Sequence, residues 1–175
     1  MTHLYLIRHC ETRELAGEEP AHPRGDSDLS SRGEAQAQQL RAMLSPWPVE
    51  LFLTSLFRRA QQTAATLNIE RGVPVVGSMA LNEFQLRDTG EGVESLDQGL
   101  VRAVGFLNQF RAYHSCVAVV AHNSILSVMR MSLLNAPFET NARYFASPGQ
   151  VCVLRYDPGA GDQNWREVAT YLPHA

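Results

Sequence analysis

Two short apolar runs each end in a histidine. His3-Leu4-Tyr5-Leu6-Ile7 leads into Arg8-His9-Cys10-Glu11, and Cys116-Val117-Ala118-Val119-Val120-Ala121 leads into His122. Packing alone does not require an imidazole at the end of a buried strand, and here there are two. In open α/β sheets, ligands bind in the crevice beyond the carboxyl ends of the strands. The pattern therefore aims two imidazoles and the Arg8 guanidinium at one crevice, which suits an anionic, phosphorylated ligand. A phosphate monoester site needs donors that match tetrahedral oxyanions, and arginine supplies them as a planar fork. It needs a nucleophile or an activated water, for which a neutral imidazole is a candidate. It also needs an acid to protonate the leaving alkoxide, and helix N-termini add backbone N–H donors for the anion. Each part stands near a strand end or a helix start: Arg8 and His9, Arg58 and Arg59, Glu83, and His122 with the helix that follows it.

The elements that position these residues read in the order β, loop, α, β, α, β, loop, α, β, α, loop, β-hairpin. Strands are expected at 3–8, 51–54, 73–76 and 116–121, with Pro74 demoting the third towards an edge. Helices are expected from Ser30 or Ser31 to about Leu44, with Glu34 placed for a capping box, and from Arg58 to Asn68. Two more are expected, from Ser95 to about Tyr113 and from Ser124 to Leu134. Two antiparallel strands, Val151–Tyr156 and Glu167–Leu172, close the fold. This alternation predicts an α/β fold, a three-layer α/β/α sandwich around a mainly parallel sheet.

The 175 residues fit one domain spanning 1–175. A net charge of -3 gives no reason to expect a nucleic-acid partner. The chain contains no lysine, so all 15 basic residues are arginine. Schiff-base chemistry and the phosphate-loop Gly-Lys-Ser/Thr are thereby excluded. Cys10, Cys116 and Cys152 are separated and show no Cys-x-x-Cys pairing, so neither a zinc cluster nor a disulfide framework is suggested. No run has the length of a membrane span or the form of a signal peptide, which makes a cytoplasmic setting the expectation.

The motifs are similar to those of the histidine phosphatase superfamily, the group that contains phosphoglycerate mutases. The family's opening Arg-His-Gly-Glu-Thr stands here as Arg8-His9-Cys10-Glu11-Thr12. Its block Ser-x-Leu-x-Arg-Ala-x-Gln-Thr-Ala matches Ser55 to Ala64, with Arg59 at the phosphate-binding arginine and Arg58 beside it. Its Leu-x-Glu matches Leu81-Asn82-Glu83. Its Gly-Glu-Ser matches Val93-Glu94-Ser95, followed by Arg102 and Phe106-Leu107. Its final Ser-His-Gly matches Ala121-His122-Asn123. A further short match runs from Asp28-Leu29-Ser30 to Gly33 with Gln36-Ala37.

The resemblance implies a phosphoglycerate mutase-like fold and a phosphoryl-transfer site. His9 would be the nucleophile that becomes a phosphohistidine. Arg8, Arg59 and His122 would hold the phosphoryl oxygens, and Glu83 would act as acid and then base. It implies no metal and no other cofactor. The implied partner is a small phosphorylated substrate or a phosphoprotein, not a nucleic acid or a membrane. Three readings follow: a phosphatase acting on a phosphomonoester or phosphohistidine, a phosphoglycerate-type mutase, and a non-catalytic phosphate-binding protein. Mutases in the family carry insertions over the site, so the short connections here favour hydrolysis.

Three of the departures from the family pattern lie where they bear on the chemistry. Cys10 replaces a glycine beside the nucleophile, where it would narrow the pocket, tilt His9 or act as a reactive thiol unless it is a spectator. Asn123 replaces the glycine after His122. Leu15 stands where many relatives have a phosphate-binding asparagine. Glu91 and Glu94 compete with Glu83 for the acid role, and Glu14, Glu18 and Glu19 are candidates for an acidic rim. His3, His22, His114 and His174 read as surface residues.

Overall fold

The computed structural model describes residues 1–20, 26–84, 94–137, 143–159 and 164–173. Six strands, β1 (His3–Arg8), β2 (Leu51–Thr54), β3 (Val75–Gly77), β4 (Cys116–Ala121), β5 (Val151–Tyr156) and β6 (Trp165–Tyr171), form one sheet. Its order is β3-β2-β4-β1-β5-β6. The first four of these are parallel to one another, and β5 is antiparallel to both β1 and β6. Helices α1 (Ser31–Leu44), α2 (Arg58–Asn68), α3 (Leu96–Asn108) and α4 (Asn123–Leu133) cover the sheet.

Alternation along the strands sorts the core into two layers. Leu4, Leu6, Val117 and Val119 pack with Ala103 and Leu107 of α3 and with Ile125 and Met129 of α4. Tyr5, Ile7, Ala118 and Val120 pack with Ala37 and Leu40 of α1 and with Ala60 and Ala64 of α2. A strand covered on both faces has no polar side to alternate with, which is why residues 116–121 read as one unbroken apolar run.

Two glycines set how closely the layers meet. A Cβ on Gly33 would lie 1.9 Å from the Glu11 carbonyl oxygen, so α1 rests directly on the backbone of the opening motif. A Cβ on Gly99 would lie 2.0 Å from Phe84, which lets α3 press on the turn that carries Glu83.

Some boundaries differ from expectation for local reasons. Ser30 caps α1 by accepting the Gly33 N–H at 3.0 Å, so Glu34 lies one residue beyond the capping-box position. The reciprocal bond goes instead from the Ser30 N–H to the Glu11 carbonyl. The box forms on α3, between Ser95 and Gln98. That helix stops at Asn108, where the chain tightens into three-residue turns such as Tyr113 N–H to the Phe110 carbonyl. Strand β3 starts only at Val75, although the Pro74 carbonyl still accepts the Phe52 N–H. A 3-10 turn over Met79–Leu81, capped by Ser78, had no periodic signal in the sequence.

Candidate active site

Three parallel strands end side by side, and each is followed by a polar residue. The His9 N–H donates to the Ala121 carbonyl at 3.0 Å, and the Ser55 N–H donates to the Val120 carbonyl at 3.1 Å. The parallel register thereby places His9, Ser55 and His122 at the same carboxyl edge of the sheet. The His9 and His122 rings lie 5.1 Å apart, centroid to centroid.

His9 is 4% exposed and held at both ring nitrogens. Its Nδ1–H donates to the Cys10 carbonyl at 2.8 Å. Its Nε2 accepts from Arg59 Nε at 3.1 Å, which makes Nε2 the unprotonated nitrogen. Burial, then the Arg59 and Arg8 charges, bring the His9 imidazole down to about 3 against the pull of its bond to Cys10. The ring is thus a neutral base in the tautomer that presents Nε2.

Arg59 comes from the first turn of α2 and lies over the Phe57 ring at 4.7 Å. The Asp26 carboxylate caps that helix by accepting the Arg58 N–H at 2.7 Å. Arg8 donates from Nη1 to the Ala146 carbonyl at 2.6 Å, and its buried Nε has no partner among the described residues. Burial lowers the pKa of both guanidiniums, and the Glu83 charge opposes the shift in each.

His122 is oriented by a chain of polar residues. The Ser55 hydroxyl donates to Asn82 Oδ1 at 2.8 Å, so its oxygen accepts the His122 Nε2–H at 2.7 Å. The Leu56 N–H also donates to Asn82 Oδ1, which fixes the amide orientation. The buried Nδ1 of His122 then has no partner among the described residues. Burial, followed by His9, Arg59 and Arg8, holds His122 well below the ordinary histidine range.

Glu83 stands over the start of α4, accepting the Ser124 N–H at 3.1 Å and the Ile125 N–H at 3.3 Å. Arg102 holds this region from beneath, bonding the Ala80 carbonyl at 2.8 Å and Glu94 through Nη2 at 2.7 Å. Glu94 is therefore occupied by an ion pair, and Glu91 lies outside the described residues. Glu18 and Glu19 face Arg13, while the Glu14 charge acts on Arg59. Arg58 is exposed and pairs with Asp28 at 2.9 Å, at the rim.

The Cys10 side chain does not enter the site. It is fully buried in the core layer beside α1 and α2, and burial pushes its thiol up to about 12. Nor does its backbone need a glycine, since Glu70 and Asn135 are the only non-glycine residues at positive φ among those described. Leu15 is exposed and brings no polar group. His114 lies 3.7 Å from Glu50, far along the sheet from the site, and His22 and His174 lie outside the described residues.

Several positioning residues sat in the matched motifs without an evident task. Thr63 Oγ1 accepts the Cys10 N–H at 3.1 Å, Gln36 accepts the Glu11 N–H at 2.9 Å, and Gln62 accepts the Leu29 N–H at 2.9 Å. Their polar side chains at fixed spacing were the available signal. Among the described residues, no group of three or more His, Cys, Asp or Glu is placed to hold a metal ion. A groove of about 510 Å³ beside Gln61, Asn68, Val75 and Gly77 lies along the open edge of β3 and is lined by no titratable side chain. No described helix is long and apolar enough to cross a membrane.

The model of the histidine phosphatase superfamily (branch 1) matches residues 4–91 and 85–167. The chain belongs to that superfamily. Within the histidine phosphatases, it is 29% identical over 167 residues to an adenosylcobalamin/alpha-ribazole phosphatase of Escherichia coli, covering 78% of this chain and 81% of the relative. It is 26% identical to the phosphatase of the same name from Salmonella typhimurium, covering 77% and 80%. The solved mycobacterial glucosyl-3-phosphoglycerate phosphatase superposes with a TM-score of 0.80 at 21% identity, over 97% of this chain and 98% of that one. That likeness identifies the fold, a phosphoglycerate mutase-like α/β sandwich.

Proposed function

We propose that this histidine phosphatase hydrolyses a phosphomonoester through a phosphohistidine formed on His9. The observation that carries the reading is the state of His9: a neutral ring with Nδ1–H tied to Cys10 and the Nε2 lone pair facing Arg59. His9 Nε2 attacks phosphorus and forms the N–P bond, while the P–O bond to the leaving group breaks. The leaving alkoxide takes a proton from Glu83. Glu83 then accepts a proton from water as the water oxygen attacks phosphorus, and the N–P bond breaks to release phosphate and neutral His9. Arg8 and Arg59 stabilise the charge on the phosphoryl oxygens, the dominant contribution in phosphoryl transfer, and His122 joins them when the anion draws a proton onto its Nδ1.

The substrate is a small phosphorylated metabolite. The names of the two curated relatives make alpha-ribazole phosphate the first compound to assay, with phosphohistidine peptides as the competing class. Turnover of p-nitrophenyl phosphate by wild type and by His9→Ala tests the chemistry apart from specificity. Wild type turns over, and the variant falls to background. Equal rates in the two remove the mechanism.

A further inference from the structure

We propose that Asn123 is a positioning residue that sets the Arg8 guanidinium through the backbone of Ala146. Asn123 opens α4 directly after His122, and its Oδ1 accepts the Ala146 N–H at 2.7 Å. The carbonyl of the same residue accepts Arg8 Nη1 at 2.6 Å. One peptide unit on each side of Ala146 thus links the start of α4 to a half-buried cation of the site.

The rest of the segment is tied down independently. Arg130, buried in α4 and paired with Glu167 at 2.8 Å, donates to the Tyr144 carbonyl at 3.0 Å. The Gly149 N–H donates to the carbonyls of Arg8 and His9 at 3.2 and 3.1 Å, and the Arg8 N–H donates to the Gln150 carbonyl at 3.0 Å. Between these anchors, the Asn123 amide holds the Ala146 N–H, and Gln150 Oε1 holds the peptide unit of the Ala146 carbonyl by accepting the Ser147 N–H at 2.9 Å.

The need for such a fix follows from the state of Arg8. Its guanidinium is desolvated, and an arginine side chain has many rotamers to lose. A fixed carbonyl on Nη1 selects one of them and leaves the buried Nε to turn towards the phosphoryl group. A glycine at position 123 has no side chain to reach Ala146, so this departure from the family pattern adds a contact. A displacement of about 1 Å in a transition-state donor can cost up to about 100-fold in rate, so a shift at Ala146 registers in catalysis before it registers in folding.

The inference rests on the phosphatase reading, and a double-mutant cycle separates the two. Asn123→Ala lowers kcat/KM for p-nitrophenyl phosphate about tenfold, and the loss disappears in an Arg8→Ala background. Wild-type kcat/KM in Asn123→Ala, or an equal loss in both backgrounds, overturns it. Asn123→Ser, which a first helical turn accepts, is read in the same way if Asn123→Ala does not fold. If the wild-type protein hydrolyses no phosphomonoester, the phosphatase reading fails, and the same cycle is read in orthovanadate affinity by calorimetry. There, weaker binding in Asn123→Ala that vanishes without Arg8 supports the relay, and unchanged binding overturns it.

Discussion

Arg59 Nε donates to His9 Nε2 at 3.1 Å, so the candidate nucleophile's lone pair and a candidate phosphate-binding guanidinium point at each other. A phosphoryl group that takes up the Nε2 lone pair displaces this bond and leaves the Arg59 guanidinium beside the phosphoryl oxygens, where it can donate to them. Removing the donor therefore costs transition-state stabilisation. Arg59→Ala is expected to lower kcat about 100- to 1000-fold, the usual effect of losing one such donor. Arg59→Lys recovers little of it, because a point charge does not reproduce the planar fork. Steady-state kinetics with p-nitrophenyl phosphate check this; an Arg59→Ala enzyme within tenfold of wild type contradicts it.

Stability falls as the pH drops below about 6.5, the ordinary histidine value. The His9 value of about 3 in the folded protein lies below that of the unfolded chain. Between those values the unfolded state binds the extra proton, so the stabilisation is complete above about 6.5 and is lost towards 3. At pH 4.5 the loss from His9 is on the order of 2–3 kcal/mol, and His122 adds in the same direction. Thermal unfolding at pH 7.5 and 4.5 measures this, and His9→Asn shows the smaller drop. An equal drop in both proteins removes His9 as its source.

Oxyanion binding draws a proton onto His122. With Nε2–H committed to Ser55, the Nδ1, which has no partner among the described residues, carries a lone pair in the neutral ring. An anion at Nδ1 favours the protonated form, so a ligand that stays a dianion across the range, such as sulfate, binds more tightly as the pH falls. One linked proton limits the effect to about tenfold per pH unit. The sulfate inhibition constant between pH 8 and 5.5 checks it, with His122→Ala as the control that loses the dependence. A flat profile in wild type rules the linkage out.

Cys10 is a core residue. With its side chain fully buried and its thiol near 12, it resists iodoacetamide at pH 8 in the folded protein and reacts only after denaturation. Cys10→Ala keeps kcat, since the carbonyl that holds His9 is backbone, and costs about 1 kcal/mol of stability through lost packing. Rapid alkylation with loss of activity in the native protein is the contrary result.

How much of this was legible from the sequence varied by level. The buried strands 3–8 and 116–121 and the helix Arg58–Asn68 were read to the residue, because apolar runs and Ala/Leu/Gln-rich stretches carry their own boundaries. The end of α3 was not, since apolar spacing continues to Phe110 while the backbone has already turned. At the candidate site, the sequence singles out His9, Arg8, Arg59, Glu83 and His122 but not what orients them. The Ser55–His122 bond joins residues that only the β2–β4 pairing brings together. The Asn123–Ala146–Arg8 link runs through a backbone amide, which no side-chain pattern records. The Cys10 side chain turns into the core and the Asn123 side chain reaches the Ala146 N–H, directions that sequence does not give.

The most direct test is capture of the phosphoenzyme. Wild-type protein mixed with excess p-nitrophenyl phosphate and quenched in alkali is expected to carry acid-labile, alkali-stable phosphate on the peptide containing His9, and His9→Ala to carry none. Turnover by the wild type with no phosphohistidine, or with the phosphate on another residue, contradicts the account.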